Sequence, residues 1–310
     1  MISSLLILAG SFVVLWISTG ISISAIEKLS KKIHIPSFLT SFFALGLLTS
    51  LSEISIAFFS TIDKTPSISV GNLLGASVVI TLLIIPLQVL SSKDVPVNTK
   101  SDQISLTTAY FVISLPVILI LDKTLSTVDA ILIIFSYLYL LLTISNKKAL
   151  IINIENSLVA PKTKLLKEIS KLVVGSILVI VSSRLIVINL VSLSEYLHLS
   201  QFIIGLVVLS LGTSIPELAI LIRSYIFKDR SVALGDYIGS ASLNVLILGL
   251  LILANGGSIS INGGVKYNLL LLPLGAGLFL FFAKNKKFEQ KEAFVLVFLY
   301  ASFVALELFL

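Results

Sequence analysis

The sequence predicts an all-α membrane protein of ten transmembrane helices in two inverted five-helix repeats, with helices 2 and 7 central. Three observations predict it. The chain has 310 residues, of which 56% are hydrophobic and only 12% charged, whereas a soluble domain carries about 25% charge. Polar segments divide the apolar sequence into ten stretches, five before the longest polar segment and five after it. A set of first-half residues recurs at one constant offset in the second half. An odd number of spans per half makes the halves antiparallel in the membrane, as in many secondary transporters.

In chain order the spans are predicted at 2–25, 38–60, 69–91, 106–121, 127–145, 170–193, 202–226, 231–254, 268–283 and 293–310. The first repeat is 1–145, a linker follows at 146–169, and the second repeat is 170–310. Met1–Ser24 is apolar but lacks a basic leading region and an obvious cleavage site, so it is expected to be a span and not a removed signal. The linker is only about two dozen residues, too short for a folded regulatory domain.

The seventh span carries the most informative run, Leu209-Ser210-Leu211-Gly212-Thr213-Ser214-Ile215-Pro216-Glu217. Pro216 has no N–H for the carbonyl four residues back, and its ring clashes there. The helix is therefore expected to open near Gly212–Pro216. A mid-membrane carboxylate costs a few kcal/mol or more without a partner. Loose backbone at that depth persists only where protein or a wet cavity covers it. Freed carbonyls, hydroxyls and a carboxylate make an oxygen-rich cage suited to a hard cation.

Glu53 lies 164 positions before Glu217. At the same offset Thr49 and Ser50 fall on Thr213 and Ser214, and Gly71 and Gly75 fall on Gly235 and Gly239. The register holds over about 45 residues, which marks an internal repeat. The first half departs from the second at four of these positions. Leu48 and Ser52 stand where the second half has Gly212 and Pro216, and Ala76 and Ile80 stand where it has Ser240 and Asn244. The second span is accordingly expected to be straighter than the seventh.

Charge orients the bundle. If connections 1–2, 3–4, 5–6, 7–8 and 9–10 share one side, 18 of the 22 Lys and Arg residues lie there. Lys64, Lys123 and Lys266 lie on the other side, and Arg184 lies inside the sixth span. The positive-inside rule then puts both termini outside and the linker in the cytoplasm of a multi-pass cell-membrane protein. The net charge of +6 reads as this orientation signal, and nucleic acid is not an expected partner. The expected partners are inorganic cations and membrane lipid, and the expected state is a monomer. Without cysteine there is no disulfide, thiolate metal site or thiol nucleophile.

At these motifs the sequence resembles the sodium/calcium exchanger branch of the cation/calcium exchanger superfamily. Gly212–Glu217 matches the family's G-T-S-x-P-E signature, and Gly239-Ser240 through Asn244 matches its G-S-x-x-x-N signature. The first-half copies are degraded at the four positions above. The resemblance implies a secondary active antiporter that exchanges calcium, or a similar divalent cation, against sodium or protons by alternating access. It implies no cofactor and no enzymatic activity. Carried over by position, it implies the metal ligands Thr49, Ser50, Glu53, Ser210, Thr213, Ser214, Glu217, Ser240 and Asn244. Calcium takes 6–8 oxygens, so the losses at Ala76 and Ile80 bear on stoichiometry and coupling ion. Ser77 and Thr81 are each one residue off, about 100° around a helix, and are not expected to substitute.

Other readings compete. A differently coupled or non-transporting family member would also explain the first-half losses. An intramembrane aspartyl protease needs two aspartates at matched depth, and the mid-span acids here are glutamates. Ser240 and Asn244 are spaced to act as glue between helices, and Thr49 and Thr213 could each bond their own helix. Asp236 reads as an interfacial or capping residue, and His34 and His198 as boundary residues. Arg184 either snorkels or pairs locally, or reaches the Glu53/Glu217 region and stands in for a bound cation.

Overall fold

In the computed structural model, which describes residues 2–33, 50–92, 95–96, 100–145, 165–218, 221–222, 233–261, 267–283 and 287–309, the apolar stretches are helices. Eight helices among these residues are long and apolar enough to cross a membrane. Two shorter apolar helices, Leu51–Ile62 and Tyr267–Ala283, fill the second and ninth positions. The first and sixth spans are single helices, Ile2–Ile33 and Leu165–Tyr196, longer than their apolar cores. Each has 32 residues, so each is about 48 Å long at 1.5 Å per residue. Lys and Glu are good helix formers, so the helix continues past the apolar limit in both. The fifth span, Thr127–Ser145, has the limits read from the sequence.

The third span begins with Pro66 in the first helical turn, where a missing N–H is harmless. It runs through Pro66–Val79, a π-helical turn at Ile80–Ile84, and Ile85–Ser92. Pro86 removes the regular donor to the Leu82 carbonyl, and the widened turn falls there. The seventh span begins at Ser200, whose hydroxyl accepts from the Ile203 N–H. It also contains a π-helical turn, Ile204–Leu209, just before the polar run. Such turns are concentrated at functional sites.

These two spans touch backbone to backbone. A Cβ on Gly71, Gly75 or Gly205 would come within 2.1 Å of the carbonyl oxygen of Phe202, Leu206 or Ile68 respectively. Small residues permit such close approach in a bilayer, where van der Waals packing drives association. In its apolar window the third span is 83% buried, against 22% for the fifth and for the tenth. Lipid-facing apolar side chains such as Leu6, Phe135 and Phe298 cover the outside. One apolar core joins the third span to the fourth, fifth and seventh to tenth. A second joins the long first and sixth helices to the second and seventh through Leu15, Ile56, Val187 and Leu209.

Two short antiparallel ladders tie the halves together. Val95–Pro96 pairs with Lys287–Phe288, and Thr124–Ser126 pairs with Ser258–Ser260. Adding 164 to Val95–Pro96 gives Ile259–Ser260, and subtracting it from Lys287–Phe288 gives Lys123–Thr124. The two ladders thus join repeat-related segments, with their pairing shifted by one residue, as a pseudo-two-fold relation between the halves leads one to expect.

Candidate cation site

The polar residues of the second, seventh and eighth spans are buried although they sit among apolar helices. Ser50, Glu53, Ser210, Thr213, Ser214, Glu217, Ser240 and Asn244 are all at most 2% exposed. Thr49, the ninth residue implied by the resemblance, lies outside the described residues. In the seventh span the helix Ser210–Thr213 breaks at Ser214, whose φ and ψ are −84° and 5°. It resumes with the Leu218 N–H donating to the Ser214 carbonyl at 3.1 Å. In the second span Ser50 has φ −89° and ψ 10°, and helix Leu51–Ile62 starts after it. There the Ile54 N–H donates to the Ser50 carbonyl at 2.9 Å.

Ser50 and Ser214 are 164 positions apart, so the start of helix Leu51–Ile62 and the break at Ser214 fall at repeat-related serines. Their φ and ψ are nearly the same, although Ser52 stands where the second half has its proline. The expectation of a straighter second span falls on the residues before Ser50, which lie outside the described residues.

The carboxylates are held by hydroxyls. Ser52 donates to Glu53 Oε2 at 2.7 Å. The serine that replaces proline therefore supplies a hydrogen bond that its repeat partner could not. Ser240 donates to Glu217 Oε1 at 3.0 Å, joining the eighth span to the seventh. Thr213 donates to Asn72 Oδ1 at 3.0 Å. Ser210 sits against Gly75 and donates to the Leu206 carbonyl of its own helix at 2.6 Å. It serves the contact between the third and seventh spans.

Several buried polar atoms have no hydrogen-bond partner among the described residues: Ser50 Oγ, Ser214 Oγ, Asn244 Oδ1 and Asn72 Nδ2. Buried polar atoms are nearly always satisfied. Three of these four are oxygens on residues implied as cation ligands, and a hard cation satisfies oxygen lone pairs. No cluster of three or more His, Cys, Asp or Glu is present among the described residues. Two carboxylates with neutral oxygens suit an ion that must also leave.

Asn72 stands at the repeat position of Asp236, and the fold brings it to Thr213. A buried asparagine beside the glycine that touches the seventh span was the available signal. On the same span Ala76 and Ile80 are each 1% exposed, so the first-half wall is apolar where Ser240 and Asn244 bring oxygen. Ser77 bonds back to the Leu73 carbonyl at 3.1 Å and lines a narrow gap with Asn244. Arg184 does not stand in for a cation at the glutamates. It pairs with Asp63, just past the end of helix Leu51–Ile62, and its guanidinium lies 5.3 Å from the Phe59 ring centroid. Asp63 is ten residues beyond Glu53, about 15 Å along a helix. His198 is exposed in the turn before the seventh span with φ 53°, a boundary residue as read. His34 lies outside the described residues, and Asp236 lies near the start of helix Ala233–Ala254.

Buried carboxylates at repeat-related positions of two helices, one of them broken just before its glutamate, in an inverted-repeat bundle, define a secondary transporter of the cation-exchanger class. The profile of the family described as sodium/calcium exchanger protein matches residues 3–145 and 168–309, and the chain belongs to that family. Among its relatives is the inner membrane protein YrbG of Escherichia coli (strain K12), 26% identical over 84% of this chain and 82% of the relative. The fold is shared with the crystal structure of the H+/Ca2+ exchanger CAX, at a TM-score of 0.78 and 14% identity, over 98% of this chain and 86% of that one. It is also shared with the sodium-calcium exchanger NCX_Mj, at a TM-score of 0.65 and 21% identity, over 97% and 98% of the two chains.

Proposed function

We propose that this protein is a secondary active antiporter that moves calcium, or a similar divalent cation, against sodium or protons by alternating access. The observation that carries the proposal is the pair Glu53 and Glu217, repeat-related and buried, each three residues after a non-helical serine at repeat-related positions. The cation is held by Glu53 and Glu217 with oxygens from Thr49, Ser50, Thr213, Ser214, Ser240 and Asn244, and Ser210 adds packing beside them. The halves 1–145 and 170–310 rock against each other around this site, with the linker 146–169 in the cytoplasm and both termini outside. Names of structural relatives support the ion class, since CAX is described as an H+/Ca2+ exchanger and NCX_Mj as a sodium-calcium exchanger.

Ala76 and Ile80 favour protons as the counter-ion. With two oxygens fewer on the first-half wall, extra sodium ions lack ligands, whereas a carboxylate takes a proton without any. The test is calcium uptake into proteoliposomes with an outward sodium gradient at constant pH, then with an outward proton gradient without sodium. Uptake in the second case alone supports proton coupling. Uptake driven by sodium alone and unchanged from about pH 6 to about pH 8 sinks proton coupling, and no uptake in either sinks the antiporter.

A further inference from the structure

A hydroxyl has one proton and two lone pairs. To bind a cation it must turn a lone pair toward the ion and send its proton elsewhere. Thr213 has two acceptors in reach: Asn72 Oδ1 at 3.0 Å and the Ser210 carbonyl at 3.3 Å. The Ser210 carbonyl is longer and belongs to the helix on which Thr213 itself sits. Asn72 is the acceptor that stays: it is fully buried, and it stands on the span whose backbone touches the seventh.

We propose that Asn72 is a positioning residue for the cation site. It takes the proton of Thr213 and so leaves the lone pairs of that hydroxyl free to face a cation. Asn72 acts through Thr213 and does not itself touch the ion. This rests on the antiporter reading, since it assigns a role within the same site. It also explains why an asparagine with one unpartnered amide hydrogen set is tolerated at 0% exposure beside the contact between the third and seventh spans. The oxygen is what the site uses. The repeat partner at this position, Asp236, offers an oxygen and no amide.

The experiment is calcium titration by calorimetry on the purified full chain, with proteoliposome uptake beside it. Asn72→Leu, which keeps the volume and removes the acceptor, is expected to weaken calcium binding about 10–100-fold, the range for groups that orient metal ligands. Asn72→Asp keeps an acceptor in place and is expected to bind at least as tightly as the wild type. In a Thr213→Val background the Asn72→Leu loss is expected to shrink below about twofold, because the two changes remove one interaction. Equal losses in both backgrounds, or an Asn72→Asp as weak as Asn72→Leu, overturns the assignment. If Asn72→Leu does not assemble, Thr213→Val alone must weaken binding about tenfold or more, and unchanged binding overturns it. If the wild type neither binds nor moves calcium, the antiporter reading itself falls and this role with it. If the wild type does bind calcium, the variants decide on Asn72 alone.

Discussion

Ser50 and Ser214 differ by only 5° in φ and 5° in ψ, yet their surroundings in sequence differ at every helix-breaking position. The second half has glycine and proline to open its helix, and the first half has leucine and serine. The backbone at the two serines is nearly the same although the residues around them are not. Both helices pack against the third span. The halves differ instead in what they offer an ion. The second brings Ser240 and Asn244, while the first brings Ala76 and Ile80 and adds a Ser52 hydroxyl to its glutamate. Geometry is shared between the repeats, and donor chemistry is not.

The sharpest way to break that comparison is to remove each carboxylate in turn. Glu53→Gln and Glu217→Gln each keep shape and remove the charge that offsets cation dehydration. Both are expected to abolish calcium uptake in proteoliposomes, a loss of 100-fold or more at about 3 kcal/mol. Normal uptake by one of them assigns the site to a single half.

A second test concerns the glycines that the repeat conserves. A Cβ on Gly75 would meet the Leu206 carbonyl at 2.1 Å, whereas at its repeat partner Gly239 nothing among the described residues lies within 4 Å. Gly75→Ala is expected to destabilise by about 1–3 kcal/mol through forced backbone shifts, read as a lower midpoint of thermal unfolding in detergent. Gly239→Ala should leave that midpoint within a degree or two. Equal losses would show that both glycines face backbone.

Donor chemistry can be repaired. Ala76→Ser with Ile80→Asn gives the first-half wall the residues of the second. The expected outcome is a gain of uptake under an outward sodium gradient, about tenfold over the starting chain. No gain would mean that the first-half wall does not face the ion.

The seventh span was legible in sequence because Gly212, Pro216 and Glu217 interrupt an apolar run with unmistakable chemistry. The fifth was legible because Thr127–Ser145 is bounded by polar residues on both sides. The non-helical backbone of Ser50 was not, since no residue beside it signals one. Asn72 escaped for a related reason: its importance comes from Thr213, 141 residues away. Arg184 was recognisable as anomalous, but its partner Asp63 lies 121 residues earlier, on another span.

The smallest expected effect concerns that pair. Arg184 and Asp63 side chains are 36% and 24% exposed, and partly exposed pairs contribute about 0–1 kcal/mol. Arg184→Gln is therefore expected to lower the unfolding midpoint by no more than a few degrees and to leave calcium affinity unchanged. The repeat offers no image of this pair, because Gly20 stands where Arg184 would be. A large loss of calcium affinity in Arg184→Gln would mean that the pair bears on the site after all.

The two short ladders carry one more consequence. In each, a loop from one half pairs with a loop from the other, and the two pairings are related by the repeat. Each half thus presents, at either end, the surface its partner requires. That is the rule of an isologous dimer, in which one patch meets its own kind across a two-fold axis. The chain is in this sense a dimer fused head to tail, and an isologous contact is closed. Once the halves have met, each of these strands has found its mate within the chain, and no further copy is needed to complete the pairing.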